Sequence, residues 1–95
     1  MSMEKFKIGD SEFVGYKIPT PQASLLAIRA KNGLLACGYL NIETAEKLGD
    51  ALAIVRGVNT YSDMLEREVS SVSSAAEKLG VKVGMSGAKA LELLS

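Results

Sequence analysis

The chain reads as an α/β (α+β) fold, one domain over residues 1–95. It predicts a mixed sheet of about five or six strands with three or four short helices packed on it. Three observations carry this. Asn32-Gly33, between two apolar runs, is the favoured pair for a two-residue hairpin turn. Ala51-Leu52-Ala53-Ile54-Val55, bounded by Asp50 and Gly57, is continuously apolar, as strands buried on both faces are. Around it, short segments with helix-capping residues alternate with short β-type runs, the order of a sheet with helices on it.

Phe6–Ile8 and Glu12–Ile18 alternate as strands on either side of Gly9-Asp10. Pro19 and Pro21 end the second run, because proline has no N–H to give a ladder. Ser24–Lys31 is the next strand. With Asn32-Gly33 as the loop, Lys31 faces Leu34, Ile28 faces Cys37, Ala30 faces Leu35 and Leu26 faces Tyr39. That register gives one apolar face and puts Cys37 on it, with the strand extending through Cys37-Gly38-Tyr39.

Helix one is expected over Ile42–Leu48, with Asn41 as N-cap, Glu43 at the positive end of the dipole, and Gly49 closing it. Ala51–Arg56 is the expected central strand. Thr60-Tyr61-Ser62-Asp63 opens helix two, to about Glu68; Val69–Val72 is a short strand or a turn. Ser74-Ala75-Ala76-Glu77 has the capping-box pattern of a third helix, stopped by Gly80. Val81–Val83 is a short β-type run, and Gly87–Leu94 is helix four.

Eleven basic residues balance eleven acidic ones, so the chain lacks the basic stripe of a nucleic-acid or anionic-membrane binder. There is no histidine and only one cysteine. Cys/His zinc sites and Ser-His-Asp or Cys-His catalysis are therefore impossible, even between identical subunits. No metal or cofactor is expected. A lone cysteine suits the reducing cytosol, and neither a membrane-length apolar run nor a signal-like N-terminus is present, so a cytoplasmic location is expected. Aromatics are only 5% of a chain that is 47% apolar. So modest a core gains from burying a face against another subunit, and a homo-oligomer is expected.

Leu34–Leu94 resembles the YunC-like domain-of-unknown-function family of archaea and bacteria. The likeness rests on Leu35-Ala36-Cys37-Gly38-Tyr39-Leu40-Asn41, Glu46-Lys47-Leu48-Gly49-Asp50, Ala53-Ile54-Val55-Arg56-Gly57-Val58, Ala75-Ala76-Glu77-Lys78-Leu79-Gly80 and Val83-Gly84-Met85-Ser86-Gly87. It implies a small, self-associating mixed α/β domain and carries over no established activity.

Each candidate site residue has two readings. Cys37 could be a nucleophile if a cation or helix N-terminus lowered its pKa; it also suits the core as a small hydrophobe, the preferred reading. Gly84-Met85-Ser86-Gly87 precedes a helix, where Gly84, Ser86 and Gly87 could present N–H groups and a hydroxyl to an anion; the plain alternative is a tight turn with Ser86 as cap. Arg56, at the end of the buried strand, could clamp a carboxylate or phosphate, or form an internal ion pair. Tyr39 and Asn41 share the neighbourhood of Cys37, as a half-buried aromatic and a helix cap. The expected function is a small self-associating domain that binds a small anionic ligand at a subunit interface. The alternatives are a cysteine- or carboxylate-dependent enzyme acting on a small anionic metabolite, or an accessory subunit of a larger complex.

Overall fold

The computed structural model describes residues 2–95. Ser2–Ile8 (β1) and Ser11–Pro19 (β2) form a long antiparallel hairpin, turned at Gly9 with its φ of 62°. β2 pairs antiparallel with Ser24–Arg29 (β3), and β3 with Leu34–Ala36 (β4). β4 runs parallel to Leu52–Val55 (β5), which pairs antiparallel with Val69–Val72 (β6). The result is one six-stranded mixed sheet in chain order with four helices, α1 (Ile42–Leu48), α2 (Tyr61–Glu66), α3 (Ser74–Lys78) and α4 (Gly87–Leu94). None of the helices is long and apolar enough to cross a membrane.

Parallel neighbours need a crossover, and α1 supplies it between β4 and β5. It lies on one face of the sheet, where Ala45 meets Ala36, Leu52 and Ile54. The opposite face carries the main core, where Phe13, Ile28, Leu35, Ala53 and Val55 pack with Met64 of α2, Ala76 of α3, and Ala90, Leu91 and Leu94 of α4. β5 thus sends Leu52 and Ile54 to α1, and Ala53 and Val55 to the main core. Its unbroken apolar run comes from having helices on both faces. It does not come from a central position: β5 is one strand from the edge.

The hairpin register differs from the expected one by two residues. Ile28 faces Leu35, Ala27 faces Ala36, and Ala30 N–H donates to the Gly33 carbonyl at 2.8 Å. The turn therefore sits on Lys31-Asn32, and Cys37 lies across from Leu26, whose carbonyl accepts the Cys37 N–H at 3.0 Å. Tertiary contact sets this register. Asn32 N–H donates to the Leu94 carbonyl, and its side-chain amide to that of Ser95. Gly33 lies so close to Ala51 that a β-carbon there would stand 2.6 Å from the Ala51 carbonyl oxygen. β4 stops at Ala36, and residues 37–40 turn, Leu40 N–H donating to the Cys37 carbonyl.

Two further expectations are corrected. Val81–Val83 is not a strand; the segment after α3 folds back on Arg67–Val69, with a single antiparallel bridge between Glu68 and Ser86. The cap of α3 is Ser73, whose Oγ accepts from Ala76 N–H, because Ser74 is turned to Glu46 of α1 by two hydrogen bonds. α1 keeps its expected limits. Asn41 Oδ1 accepts from Glu43 N–H at 2.6 Å, and Gly49 closes the helix in the left-handed region, φ 77°.

Candidate functional site

The carboxyl ends of β4 and β5 lie side by side because these two strands are parallel. From there the chain leaves in opposite directions. Cys37–Asn41 leads to α1 on one face, and Arg56–Thr60 leads to α2 on the other. Such a divergence at strand carboxyl ends is where open α/β sheets form ligand crevices. A shallow cavity of about 390 Å³ occupies it, lined by Cys37, Gly38 and Tyr39 of one loop and Gly57, Val58 and Asn59 of the other.

Arg56 is exposed and lies across the first loop. A β-carbon on Gly38 would stand 3.0 Å from Arg56 Nη1, so the absent side chain leaves room for the guanidinium. Among the described residues, no protein acceptor takes the N–H of Gly38, Tyr39, Gly57 or Val58. Gly57 adopts φ 70°, a turn conformation that glycine accepts without strain. The rim is otherwise committed. Asn59 N–H donates to Asp63 Oδ2 at 3.0 Å, and this bond is the main reason that the Asp63 carboxyl titrates below its usual range.

The structure gathers Cys37, Tyr39 and Arg56 at this one edge, with Asn41 behind them. Cys37 is 4% exposed, and its Sγ accepts from Leu26 N–H at 3.3 Å, a packed and hydrogen-bonded thiol. Tyr39 is exposed, with Oη 3.1 Å from Thr20 Oγ1. Asn41 is occupied as the cap of α1.

Gly84, Ser86 and Gly87 lie elsewhere, beyond β6 from β5. Gly84 N–H donates to the Val69 carbonyl, Met85 N–H to that of Lys82, and Gly87 N–H to that of Arg67. Ser86 Oγ accepts from Lys89 N–H as the cap of α4. The amides expected to face an anion are thus taken within the protein. Gly87 serves the packing of two helices instead. A β-carbon there would stand 1.8 Å from the Met64 carbonyl oxygen, so its bareness lets α4 start against α2.

Sequence reasoning read Gly38 as part of a strand and Gly57 as the boundary of the next, and counted neither among the site residues. Each stands two residues beyond the end of one parallel strand, a position hidden for Gly38 by the expectation that its strand runs on to Tyr39. It also treated Tyr61 only as part of a helix start. The Tyr61 ring lies over Gly15, whose β-carbon would come within 2.7 Å of Cζ, and its Oη is buried without a partner among the described residues. Burial, and then the charge of Glu4, push its phenol above the usual value. A groove of about 910 Å³ beside the β1–β2 turn lies at the opposite end of the sheet from the crevice.

Residues 36–94 match the family described as a domain of unknown function, DUF1805. The chain is 30% identical over 95 residues to the uncharacterized protein YunC of Bacillus subtilis (strain 168), covering 96% of this chain and 94% of that protein. It also resembles the crystal structure of TA1206, a protein of unknown function from Thermoplasma acidophilum. The TM-score is 0.94 at 34% identity, over 99% of this chain and 92% of that one.

Proposed function

We propose that this chain, which belongs to the DUF1805 family, is a self-associating domain that binds a small anion in the crevice between β4 and β5. One observation carries the binding: Gly38, Tyr39, Gly57 and Val58, whose N–H groups have no protein acceptor among the described residues, line a single cavity, and the Arg56 guanidinium lies against Gly38. Backbone N–H groups and a forked cation are complementary to carboxylate or phosphate oxygens. The buried, hydrogen-bonded thiol of Cys37 favours binding over the cysteine-enzyme alternative, because a nucleophile needs an accessible thiolate.

Thermal unfolding with inorganic phosphate as probe tests the reading. Millimolar phosphate should raise the midpoint of the wild-type protein at fixed ionic strength, and Arg56→Gln should lose the rise. An equal rise in both proteins would remove Arg56 from the site. Self-association is supported by the aromatic-poor core and by Met3, Ile18, Tyr39 and Leu48, which are 58%, 40%, 55% and 71% exposed. Light scattering tests it, and a mass of 10.1 kDa at micromolar concentration would refute it.

A further inference from the structure

The two faces of the sheet are covered unequally. Three helices pack on the main-core face, whereas α1 alone packs on the other, over β4 and β5. The alternation of β1 and β2 places Met3, Val14, Tyr16 and Ile18 on this second face, because Phe6 and Phe13, in the opposite phase, point to the main core. Met3, Val14, Tyr16 and Ile18 pack in neither cluster. Ala27, directly across from Tyr16, extends the patch onto β3. One half of this face is therefore bare sheet, and the other half is a helix standing on the sheet as a ridge.

We propose that a second copy of the chain covers this face, related by a two-fold axis parallel to the strands, so that α1 of each copy lies on β1–β3 of the other. This rests on the self-association proposed above and names its surface. The step shape selects the axis. Rotation about the strand direction exchanges the two halves, so each ridge enters the partner's step. The two sheets then sit about 20 Å apart, with both helices side by side in one layer between them. An in-plane axis across the strands would stack α1 on α1, hold the sheets about 30 Å apart and leave both apolar patches wet.

Charge agrees with that axis. Rotation about the strand direction keeps each end of the sheet facing the same end of its partner. The end where β2 begins carries Lys5, Lys7 and Arg29 on this face against Glu12 alone. The same end of α1 is its C-terminus, where Asp50 stands against Lys47, the Glu46 carboxylate is taken by Ser74, and the helix dipole is negative. A cationic strip thus meets the negative end of a helix dipole. The exposed side of α1, with Glu43, Thr44, Lys47 and Leu48, is the part that would contact the partner. The molecule measures 35 by 31 Å in its two long directions, room for the roughly 800 Å² per partner of a standard interface.

Cross-linking combined with mass measurement tests the proposal. Thr44→Cys and Tyr16→Cys are made as separate proteins, Cys37 remaining buried. A short bis-maleimide should join a mixture of the two far more efficiently than either alone. Tyr16→Lys on the sheet and Thr44→Arg on the helix should each shift the mass by light scattering from dimer to monomer, with unchanged circular dichroism. Thr44 is a solvent-exposed helix residue, so its variant reports on the surface even if Tyr16→Lys folds poorly. A wild-type monomer would overturn both this proposal and self-association. A dimer that both charged variants leave intact would overturn this surface alone. So would a dimer in which Tyr16→Cys links to itself, or one that instead links through Lys5→Cys at the β1 edge.

Discussion

Gly87, one of the sequence-predicted site residues, and Gly38, between two others, lack a side chain for different reasons. Gly87 is bare because the Met64 backbone occupies the space of a side chain, and a backbone cannot swing away. Gly38 faces only the mobile end of Arg56. Gly87→Ala should therefore cost about 3 kcal/mol or more, as overpacking against a fixed neighbour does. Gly38→Ala should stay within about 0.5 kcal/mol, the range of surface substitutions. Urea unfolding of the two variants checks the contrast, and similar losses would contradict it. Cys37 offers a second test. Its Sγ is the acceptor for Leu26 N–H, so Cys37→Ala strands a buried donor, at about 1–3 kcal/mol. Cys37→Ser keeps an acceptor in place and should lose clearly less. Native Cys37 should react with iodoacetamide far more slowly than a free thiol; an equal rate would show that the packing does not shield it.

At the scale of elements, the carboxylate of Glu46 joins α1 to the start of α3 by accepting from both N–H and Oγ–H of Ser74. These bonds, the backbone one first, hold the Glu46 carboxyl below its usual range. A folded value below the unfolded one stabilises the protein above the unfolded pKa, and that contribution is lost as pH falls through the folded one. Glu46→Gln should therefore lower stability near neutral pH and flatten the decline on the acid side. Equal acid slopes in wild type and variant would show that the link contributes nothing. The same link shows which elements the sequence could reveal. α1 was legible to its last residue because Asn41 and Gly49 are local signals. The start of α3 was not, because Ser74 is drawn away by a residue far along the chain, leaving Ser73 as cap. The hairpin register was misread by two residues, a slip that keeps every side chain on its own face and is silent in the hydrophobic pattern. Of the three residues gathered at the crevice, Arg56 was placed at a strand end, whereas the strand expected to run through Cys37 and Tyr39 stops at Ala36, because residues 37–40 turn toward α1. The Gly84–Gly87 turn misled because glycine spacing does not reveal whether nearby N–H groups already have acceptors.

For the whole molecule, the placement of its five aromatics is the deciding feature. Phe6 lies between Phe13 and Tyr61, with ring centroids 5.9 and 6.2 Å away, on the main-core face. Tyr16 and Tyr39 lie outside both apolar clusters. A chain of 95 residues buries only about 60–65% of its unfolded surface, so large side chains left out of the core forgo much of its available stabilisation. Association would recover part of it, and mass action makes that recovery visible. When only the folded dimer holds the interface, dilution favours the unfolded chain, and the midpoint of thermal unfolding rises with protein concentration. A tenfold increase changes the balance by about 1.4 kcal/mol per dimer, a rise of about 3 °C or more for a dimer of this size. Tyr16→Lys should remove this dependence and make the midpoint of the variant independent of concentration. Arg56→Gln should keep the dependence while losing the response to phosphate, because the crevice lies at the carboxyl ends of the parallel strands and the proposed interface on the broad face of the sheet. Scanning calorimetry at two protein concentrations, with and without phosphate, separates the two effects. A wild-type midpoint that does not move with concentration would mean that the folded monomer is already the stable species, with the Tyr16 face exposed to water.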